Sequence, residues 1–295
     1  NGCAERVWQA FFFIVRRDND RNIWRSIVHS DSIPYTAYMD KRPLVIGNWK
    51  MELSHKSALE VCSAFLKLVD TKEFPVDIVI CPSYPELPTI ADLVKNTAIT
   101  IGAQNVHEED KGAYTGSVSV SQIREFVSWC IVGHSEVRAR EHDSDIQVTQ
   151  KAKLLLSHGI TPVVCIGETQ EQRAQEQTMQ VLFGQIDSLL ENLDRVSLMK
   201  TVIAYEPIWA IGSGELPEPN AVYEVMLSIR KRISQKHDVE LADRVRLLYG
   251  GSVNADNVGQ YVSEAGADGV LVGGASVHPR DFFAIISNVA QQYAH

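Results

Sequence analysis

The apolar stretch PVVCI (Pro162–Ile166) is followed by a segment of helical period, Glu171 to Leu193, and then by a second apolar stretch, VIAYE (Val202–Glu206). Both short stretches are almost continuously apolar, which is typical of strands with both faces covered. Two such strands joined by a helix predict a βαβ unit with parallel strands. The same alternation continues in both directions along the chain.

Working outward from this unit, eight strands and eight helices are predicted. The strands are Leu44–Gly47, Asp77–Cys81, Ile99–Ala103, Cys130–Gly133, Pro162–Ile166, Val202–Glu206, Arg246–Tyr249 and Gly269–Val272. The helices are Lys56–Val69, Leu87–Lys95, Ser121–Ser128, Asp145–His158, Glu171–Leu193, Asn220–Lys236, Ala255–Glu264 and Arg280–Gln292. This α/β pattern favours a closed (β/α)8 barrel, with a doubly wound open sheet as the alternative. We expect one barrel domain at residues 39–295 and, at 1–38, an N-terminal extension of unknown role.

Composition excludes several classes of protein. The 295-residue chain has a formal charge of −9, so it lacks the basic surplus that nucleic-acid binding requires. The early apolar run Ala10 to Val15 is far shorter than the roughly 20 residues that span a membrane. The five cysteines are odd in number and lie mostly in apolar runs, which predicts reduced core thiols and a cytoplasmic location.

Polar residues and glycines follow seven of the eight strands. They are Asn48 and Lys50, Gln104 and Asn105, His134 to Glu136, Glu168, Glu206, Gly250 to Ser252, and Gly273 to Ser276. Barrels of this type carry their catalytic groups at the carboxyl ends of the strands. We therefore expect these residues to converge on one face.

Three of these residues have side chains that could act as a base or stabilise negative charge. Glu206 follows an apolar strand, and a carboxylate in apolar surroundings is a stronger base than one in water. His134 precedes Ser135 and Glu136, where a helix start would favour a neutral ring that donates a hydrogen bond. Lys50 would supply a fixed positive charge. The alternatives are a solvated loop glutamate, a structural histidine and a solvated lysine.

Glycine clusters near the last three strands indicate an anion site. Exposed amides at Gly250-Gly251-Ser252 and Gly273-Gly274 would form a phosphate-binding nest, although tight turns alone could also require these glycines. Gly212-Ser213-Gly214 would suit a loop that closes over an anion. Glu215 follows directly, so the glycine spacing of a dinucleotide site is not met.

Seven sequence blocks together resemble the triosephosphate isomerase family in order and spacing. They are GNWKM (Gly47–Met51), GAQN (Gly102–Asn105), GHSE (Gly133–Glu136), CIGE (Cys165–Glu168), AYEPIWAIG (Ala204–Gly212), YGGSV (Tyr249–Val253) and LVGGAS (Leu271–Ser276). The resemblance extends from about Lys41 to the C-terminus. It implies a TIM barrel that interconverts dihydroxyacetone phosphate and D-glyceraldehyde 3-phosphate in glycolysis and gluconeogenesis, without a cofactor.

The resemblance also implies a role for each site residue. Glu206 would move the substrate carbon proton, and His134, Lys50 and Asn48 would stabilise the enediolate oxygens, with Ser135 and Glu136 in support. The phosphate would bind Gly212, Ser252, Gly273 and Gly274; Tyr249 and Ser252 would latch the closed loop, and Ile211 and Leu271 would press on Glu206. No metal site is expected, and His107 to Asp110 is interpreted as a solvated loop.

A homodimer is a further implication, in which the loop from Asn105 to Gly116 inserts Thr115 beside the partner subunit's Lys50. Three positions depart from the family pattern and remove or alter interface charges: Ser117, Val137 and Asp143. The segment Glu215-Leu216-Pro217 also departs from the usual hinge, because proline restricts the backbone there.

Two other functions fit parts of the pattern. A phosphosugar epimerase or aldolase would share the terminal glycine nests, but an aldolase of the Schiff-base type would need a lysine in or near strand six. A barrel that only binds phosphate or a partner is the alternative from another class. The filled catalytic positions argue against it.

Overall fold

A computed structural model describes residues 41–69, 75–211 and 216–293. Contacts within the chain divide it into two units between Lys41 and Arg42, and the second unit carries the barrel. The predicted extension at 1–38 and the binding role of Gly212 lie outside the described residues. No helix in the described ranges is both long and apolar enough to cross a membrane.

Eight parallel strands pair in chain order and close on themselves. They are β1 (Leu44–Asn48), β2 (Asp77–Cys81), β3 (Ile99–Ala103), β4 (Trp129–Val132), β5 (Thr161–Ile166), β6 (Val202–Tyr205), β7 (Arg246–Tyr249) and β8 (Gly269–Val272). All eight predicted strands are confirmed to within one residue at each end. Because β8 pairs with β1, the fold is a (β/α)8 barrel, and the open-sheet alternative is wrong.

Closure of the barrel depends on a glycine. Gly269 lies opposite Leu44 at the start of the β1–β8 pair and has φ of 150°, which favours glycine. A Cβ atom at this position would stand 1.9 Å from the Leu44 carbonyl oxygen. Any side chain at residue 269 would therefore push the closing strands apart.

Twelve α-helices surround the strands in the described residues. They are α1 (His55–Val69), α2 (Leu87–Val94), α3 (Val120–Ile123), α4 (Ser135–Glu141), α5 (Asp145–Ser157), α6 (Gln170–Ala174), α7 (Thr178–Asn192), α8 (Arg195–Met199), α9 (Pro219–Lys236), α10 (Val239–Arg244), α11 (Val258–Ser263) and α12 (Pro279–Tyr293). Short 3-10 turns occupy Tyr84–Glu86, Ile208–Ala210 and Gly274–Val277.

The helix predictions need two corrections. The predicted helix Ser121–Ser128 ends at Ile123, because the Ser128 amide donates to the Ile101 carbonyl and draws the chain into β4. The single helix predicted at Glu171–Leu193 is two helices, α6 and α7, separated where Glu176 takes a φ of 58°. The short helices α4, α8 and α10 were not predicted, since a helix of one or two turns carries little periodic signal.

The core has two layers, which explains why the strands are apolar on both faces. The inner layer fills the barrel with Leu44, Ile46, Val79, Cys81, Ile131, Val163, Cys165, Val202, Ala204, Leu248 and Leu271. Alternate strand residues point outward and pack against the helices. The described cysteines, Cys62, Cys81, Cys130 and Cys165, are all buried and free, as predicted.

Candidate active site

Glu206 stands at the carboxyl end of β6 and is almost fully buried, with 2% of its surface exposed. Its amide donates to the Ile166 carbonyl, which extends the β5–β6 pairing to the first residue beyond the strand. One carboxylate oxygen lies 3.3 Å from His134 Nε2, and the other accepts a long bond of 3.4 Å from the Ser135 amide. The carboxylate therefore faces the end of β4 across the barrel mouth.

His134 is held in one orientation by the helix that follows it. It is the N-cap of α4, and its Nδ1 accepts a hydrogen bond of 3.2 Å from the Glu136 amide. A ring nitrogen that accepts from an N–H carries no proton, so in the neutral ring the proton lies on Nε2. In that tautomer the N–H points to Glu206.

Lys50 has an unusual backbone, with φ of 49° in the left-handed region. This conformation costs a non-glycine residue about 1–3 kcal/mol, so other contacts must hold it. Two contacts hold it: the Lys50 amide donates to Asn48 Oδ1 at 3.2 Å, and Gln104 Nε2 donates to the Lys50 carbonyl at 2.8 Å. Asn48 is itself buried. The ammonium group is thus fixed at the mouth of β1.

The Lys50 side chain connects α4 with the loop after β8. Its Nζ lies 2.5 Å from Glu136 Oε1, and its Cε lies 3.6 Å from the point where Gly273 would carry a Cβ. Burial would raise the pKa of Glu136, but the hydrogen bond and charge of Lys50 outweigh it and hold that pKa below its usual value. Glu136 is therefore the fixed anionic partner of the lysine.

The loop after β7 packs against the Glu206 side chain. A Cβ atom on Gly250 would stand 2.8 Å from Glu206 Cγ, so only a glycine leaves room for the carboxylate. Ser252 Oγ donates to the Ala210 carbonyl at 2.7 Å and ties this loop to the 3-10 turn after Glu206. Gly274 begins the 3-10 turn after β8 and has no atom within 4 Å of its Cβ position.

The structure brings together most of the residues expected from the sequence. Glu206, His134, Ser135, Glu136, Lys50, Asn48 and Gly273 form one connected set. Ser252 is bonded instead to the Ala210 carbonyl, in the turn after Glu206. Leu271 lies within the inner barrel core, and Ile211 is the last described residue before 212–215. Thr115 is exposed on the loop after β3, and no contact joins it to Glu206.

A buried cluster around Glu168 was not assigned a role from the sequence. Glu168 is fully buried, and its Oε1 accepts hydrogen bonds from Trp209 Nε1 at 3.0 Å and from the Tyr205 hydroxyl at 3.2 Å. Arg173 lies 3.5 Å from the same oxygen and stacks on the Trp209 ring. The cluster fixes the turn that follows Glu206. The apolar sequence IWA at Ile208–Ala210 gave no sign of it.

Cys165 was also missed as a neighbour of Glu206. Burial first, and then the charge of Glu206, raise the pKa of this thiol well above its usual value. Cys165 pairs with Ala204 in the sheet and points into the barrel, so the two-residue alternation of β5 and β6 would have placed it beside the carboxylate.

Two grooves on the described surface bear on the position of the site. One, of about 400 Å³, borders the site and is lined by residues that include Lys50, His134, Gly116 and Val137. A larger one, of about 890 Å³, lies between α1 and the start of α12, away from Glu206. We place the site beside the smaller groove because Asn48, Lys50, His134 and Glu136 line it. Within the described ranges, no three His, Cys, Asp or Glu residues are grouped so as to hold a metal.

Comparison with known proteins gives one consistent result. The family model for triosephosphate isomerase matches residues 43–289. The chain is 38% identical over 248 residues to triosephosphate isomerase from Caldanaerobacter subterraneus subsp. tengcongensis, covering 84% of this chain and 99% of that protein. It is 40% identical to the enzyme from Clostridium botulinum strain Loch Maree over 245 residues, covering 83% and 98% of the two chains. It is 40% identical to the enzyme from Nocardia farcinica over 256 residues, covering 85% and 98%. With this match over most of its length and a closed eight-stranded barrel, the chain belongs to the triosephosphate isomerase family.

Proposed function

We propose that this chain interconverts dihydroxyacetone phosphate and D-glyceraldehyde 3-phosphate, with Glu206 as the general base. The observation that carries the proposal is the buried Glu206 carboxylate, 3.3 Å from His134 Nε2 at the barrel mouth. A base and a hydrogen-bond donor this close can act on adjacent atoms of one small substrate. The transfer uses side chains alone and needs no cofactor.

The reaction moves one proton between two neighbouring carbons. Glu206 takes a proton from the carbon beside the carbonyl group, and the C–H electron pair forms the carbon–carbon double bond of an enediolate. His134 Nε2–H and the Lys50 ammonium stabilise the charge that develops on the oxygens, with Asn48 beside them. Glu206 then returns the proton to the other carbon. Ser135 supports Glu206, and Glu136 supports Lys50.

The substrate phosphate would bind where the loops after β7 and β8 meet Lys50. Gly273 lies against the lysine side chain, and Gly274 has free space around its Cα. Backbone amides at the start of a helical turn attract anions. Gly212 would complete this site, and Tyr249 and Ser252 would hold the loop that contains it. Ile211 and Leu271 would then exclude water from Glu206.

The described residues favour this reaction over a Schiff-base aldolase. Strand β6 reads VIAY and contains no lysine, and it is followed by Glu206. Lys151, the one buried lysine in the described ranges, lies 2.5 Å from Asp143 and is engaged as a cation. Neither position offers the free amine that a Schiff base requires.

Substitution of the base tests the proposal. Glu206→Gln keeps the size of the side chain but cannot accept the carbon proton, so turnover in a coupled assay should fall by about three orders of magnitude or more. Binding of phosphoglycolate, measured by calorimetry, should remain detectable. A Gln variant with near-normal turnover would refute the role of Glu206. A wild-type chain that binds phosphoglycolate without turnover would indicate a catalytically inactive barrel that only binds phosphate.

A homodimer is the second part of the proposal. The loop from Asn105 to Gly116 carries an exposed Tyr114, and Met51 beside the site is 95% exposed. The Tyr114 ring packs at a tilt against His107, with the ring centres 4.1 Å apart, and this contact helps to hold the shape of the loop. Exposed apolar groups around a groove are typical of a protein interface. Thr115 would then reach the partner subunit's Lys50.

Sedimentation equilibrium tests the dimer. Thr115→Arg places a second cation beside Lys50 and should yield a monomer of low activity. Val196→Arg, at an exposed apolar residue on α8, is the matched control and should remain dimeric and active. An active wild-type monomer would contradict this part of the proposal.

We also propose a cytoplasmic location and a domain boundary between residues 38 and 39. The compact unit that begins at Arg42 supports that boundary.

A further inference from the structure

Tyr261 joins two segments that border the site. It lies on α11 with 2% of its surface exposed, and its hydroxyl donates to the Pro217 carbonyl at 2.9 Å. Its ring stacks on Tyr249, with the ring centres 4.0 Å apart and the planes 27° from parallel. One buried side chain therefore contacts the end of β7 and the segment that leads into α9.

The contact with Tyr249 leads directly to the proposed base. Tyr249 ends β7, and the next residue, Gly250, donates its amide to the Tyr205 carbonyl at 2.8 Å. Gly250 is also the residue packed against Glu206 Cγ. We expect a shift of the Tyr249 ring to be transmitted along the chain to Gly250, which lies behind the carboxylate.

The Tyr249 side chain is held by packing rather than by a hydrogen bond. Its hydroxyl is buried and makes no hydrogen bond of acceptable geometry to any described residue. Burial, and then the neighbouring Tyr261, raise the pKa of Tyr249, so its hydroxyl stays neutral. Packing holds the ring in place, and the stacked Tyr261 ring contributes to that packing.

The contact with Pro217 fixes the other segment. Pro217 is buried just after the exposed Leu216, and it has no amide hydrogen, so its carbonyl is its only polar backbone group. Burial raises the pKa of Tyr261, which keeps its hydroxyl a donor to this carbonyl. Pro219 then begins α9. The segment from Leu216 to Pro219 is thus tied to α11 by one hydrogen bond.

We propose that Tyr261 is a positioning residue for the isomerisation. It holds Tyr249 and Gly250 against Glu206 and connects them to Pro217. It touches neither substrate nor reacting atoms and acts only through its neighbours. The proposal rests on the function proposed above, because it assumes that Glu206 is the base. Its effect should appear in kcat rather than in KM, since the position of the base matters in the transition state.

Two substitutions separate the contacts of Tyr261. Tyr261→Phe keeps the stacked ring and removes the bond to Pro217, and Tyr261→Leu removes both. We expect kcat to fall about 2- to 10-fold in the Phe variant, as for one lost hydrogen bond. It should fall about 10- to 100-fold in the Leu variant, as for a misplaced catalytic group. KM should change less than kcat in both.

Tyr293→Phe is the matched control. Tyr293 lies on α12 and donates to the Ala267 carbonyl at 3.3 Å, before the amino end of β8 and thus at the opposite end of the barrel from Glu206. It loses the same kind of bond, so its kcat should remain at the wild-type value. All variants are assayed well below their own unfolding temperatures, which separates positioning from a loss of folded protein.

A graded loss of kcat, with Phe retaining most of the activity that Leu loses, supports the proposal. Values of kcat within twofold of wild type in both variants, or a loss equal to that of Tyr293→Phe, overturn it. If the Leu variant does not fold, the Phe variant decides alone by the same limits. Glu206→Gln is assayed in parallel. Turnover retained in Glu206→Gln would refute the proposed base. Turnover lost in Glu206→Gln, with wild-type kcat in both Tyr261 variants, would refute only the positioning role.

Discussion

Gly250→Ala should impair the reaction by displacing Glu206. The added Cβ would stand 2.8 Å from Glu206 Cγ, whereas an ordinary contact is 3.4–4 Å, so the carboxylate would have to move by about 0.6 Å or more. Gly250 has no positive φ, so alanine fits the backbone itself and the effect comes from the contact. A misplacement approaching 1 Å can cost about 100-fold in rate, and we expect kcat to fall about 10- to 100-fold.

Steady-state kinetics in the coupled assay measures this effect, with Gly184→Ala as the control. Gly184 lies in α7 with no atom within 4 Å of its Cβ position, so alanine should leave kcat unchanged and stabilise the helix by about 0.5–1 kcal/mol. Thermal unfolding of Gly250→Ala would report overpacking of about 1–3 kcal/mol. If kcat for Gly250→Ala stayed within twofold of wild type, the close contact between residue 250 and the base would have no catalytic importance.

Three further predictions concern stability and reactivity. Lys151→Met leaves the Asp143 carboxylate buried without its cation, so the free energy of unfolding in urea should fall by about 3–5 kcal/mol. Adding Asp143→Leu should restore most of that stability. A loss below about 1 kcal/mol in Lys151→Met would refute this prediction. The hydrogen bond from Arg232 lowers the pKa of Asp187, so its contribution is present above the unfolded value of about 3.9 and is lost as pH falls below it. The unfolding free energies of wild type and Asp187→Asn should therefore differ by about 1 kcal/mol at pH 7 and converge near pH 3, and a constant difference would contradict this. Burial raises the pKa of Cys62 to about 11, so native wild type and Cys62→Ser should show the same fast thiol titre at pH 8, and one extra fast thiol in wild type would disprove it.

The sequence was sufficient to predict the strands and the face on which the site lies. A strand covered on both faces appears in the sequence as an almost unbroken apolar run. A polar residue or a glycine directly follows the run, such as Glu206 after Tyr205 and Gly250 after Tyr249. Because all strands are parallel, the residues after them meet at one end of the barrel. His134 and Glu206 could thus be predicted to meet, although β5 separates the strands that they follow.

Features that depend on tertiary contacts could not be predicted in this way. The left-handed backbone of Lys50 is held by Gln104, which is 54 residues away in the chain. Tyr261 reaches Pro217 across 44 residues. The break between α6 and α7 depends on a single residue, Glu176, whose positive φ has no periodic signal. None of these three features leaves a periodic signal in the sequence, so they appear only when the folded chain is known.

The most direct test of the proposed mechanism is the coupled isomerisation assay of wild type and Glu206→Asp. Aspartate keeps the charge but is shorter by one carbon–carbon bond, about 1.5 Å, and so withdraws the base from the substrate carbon. We predict rapid turnover in wild type and a kcat lowered at least about 100-fold in the variant, with little change in KM. An inactive wild-type dimer, or a variant with kcat within tenfold of wild type, would contradict the role of Glu206 as the base.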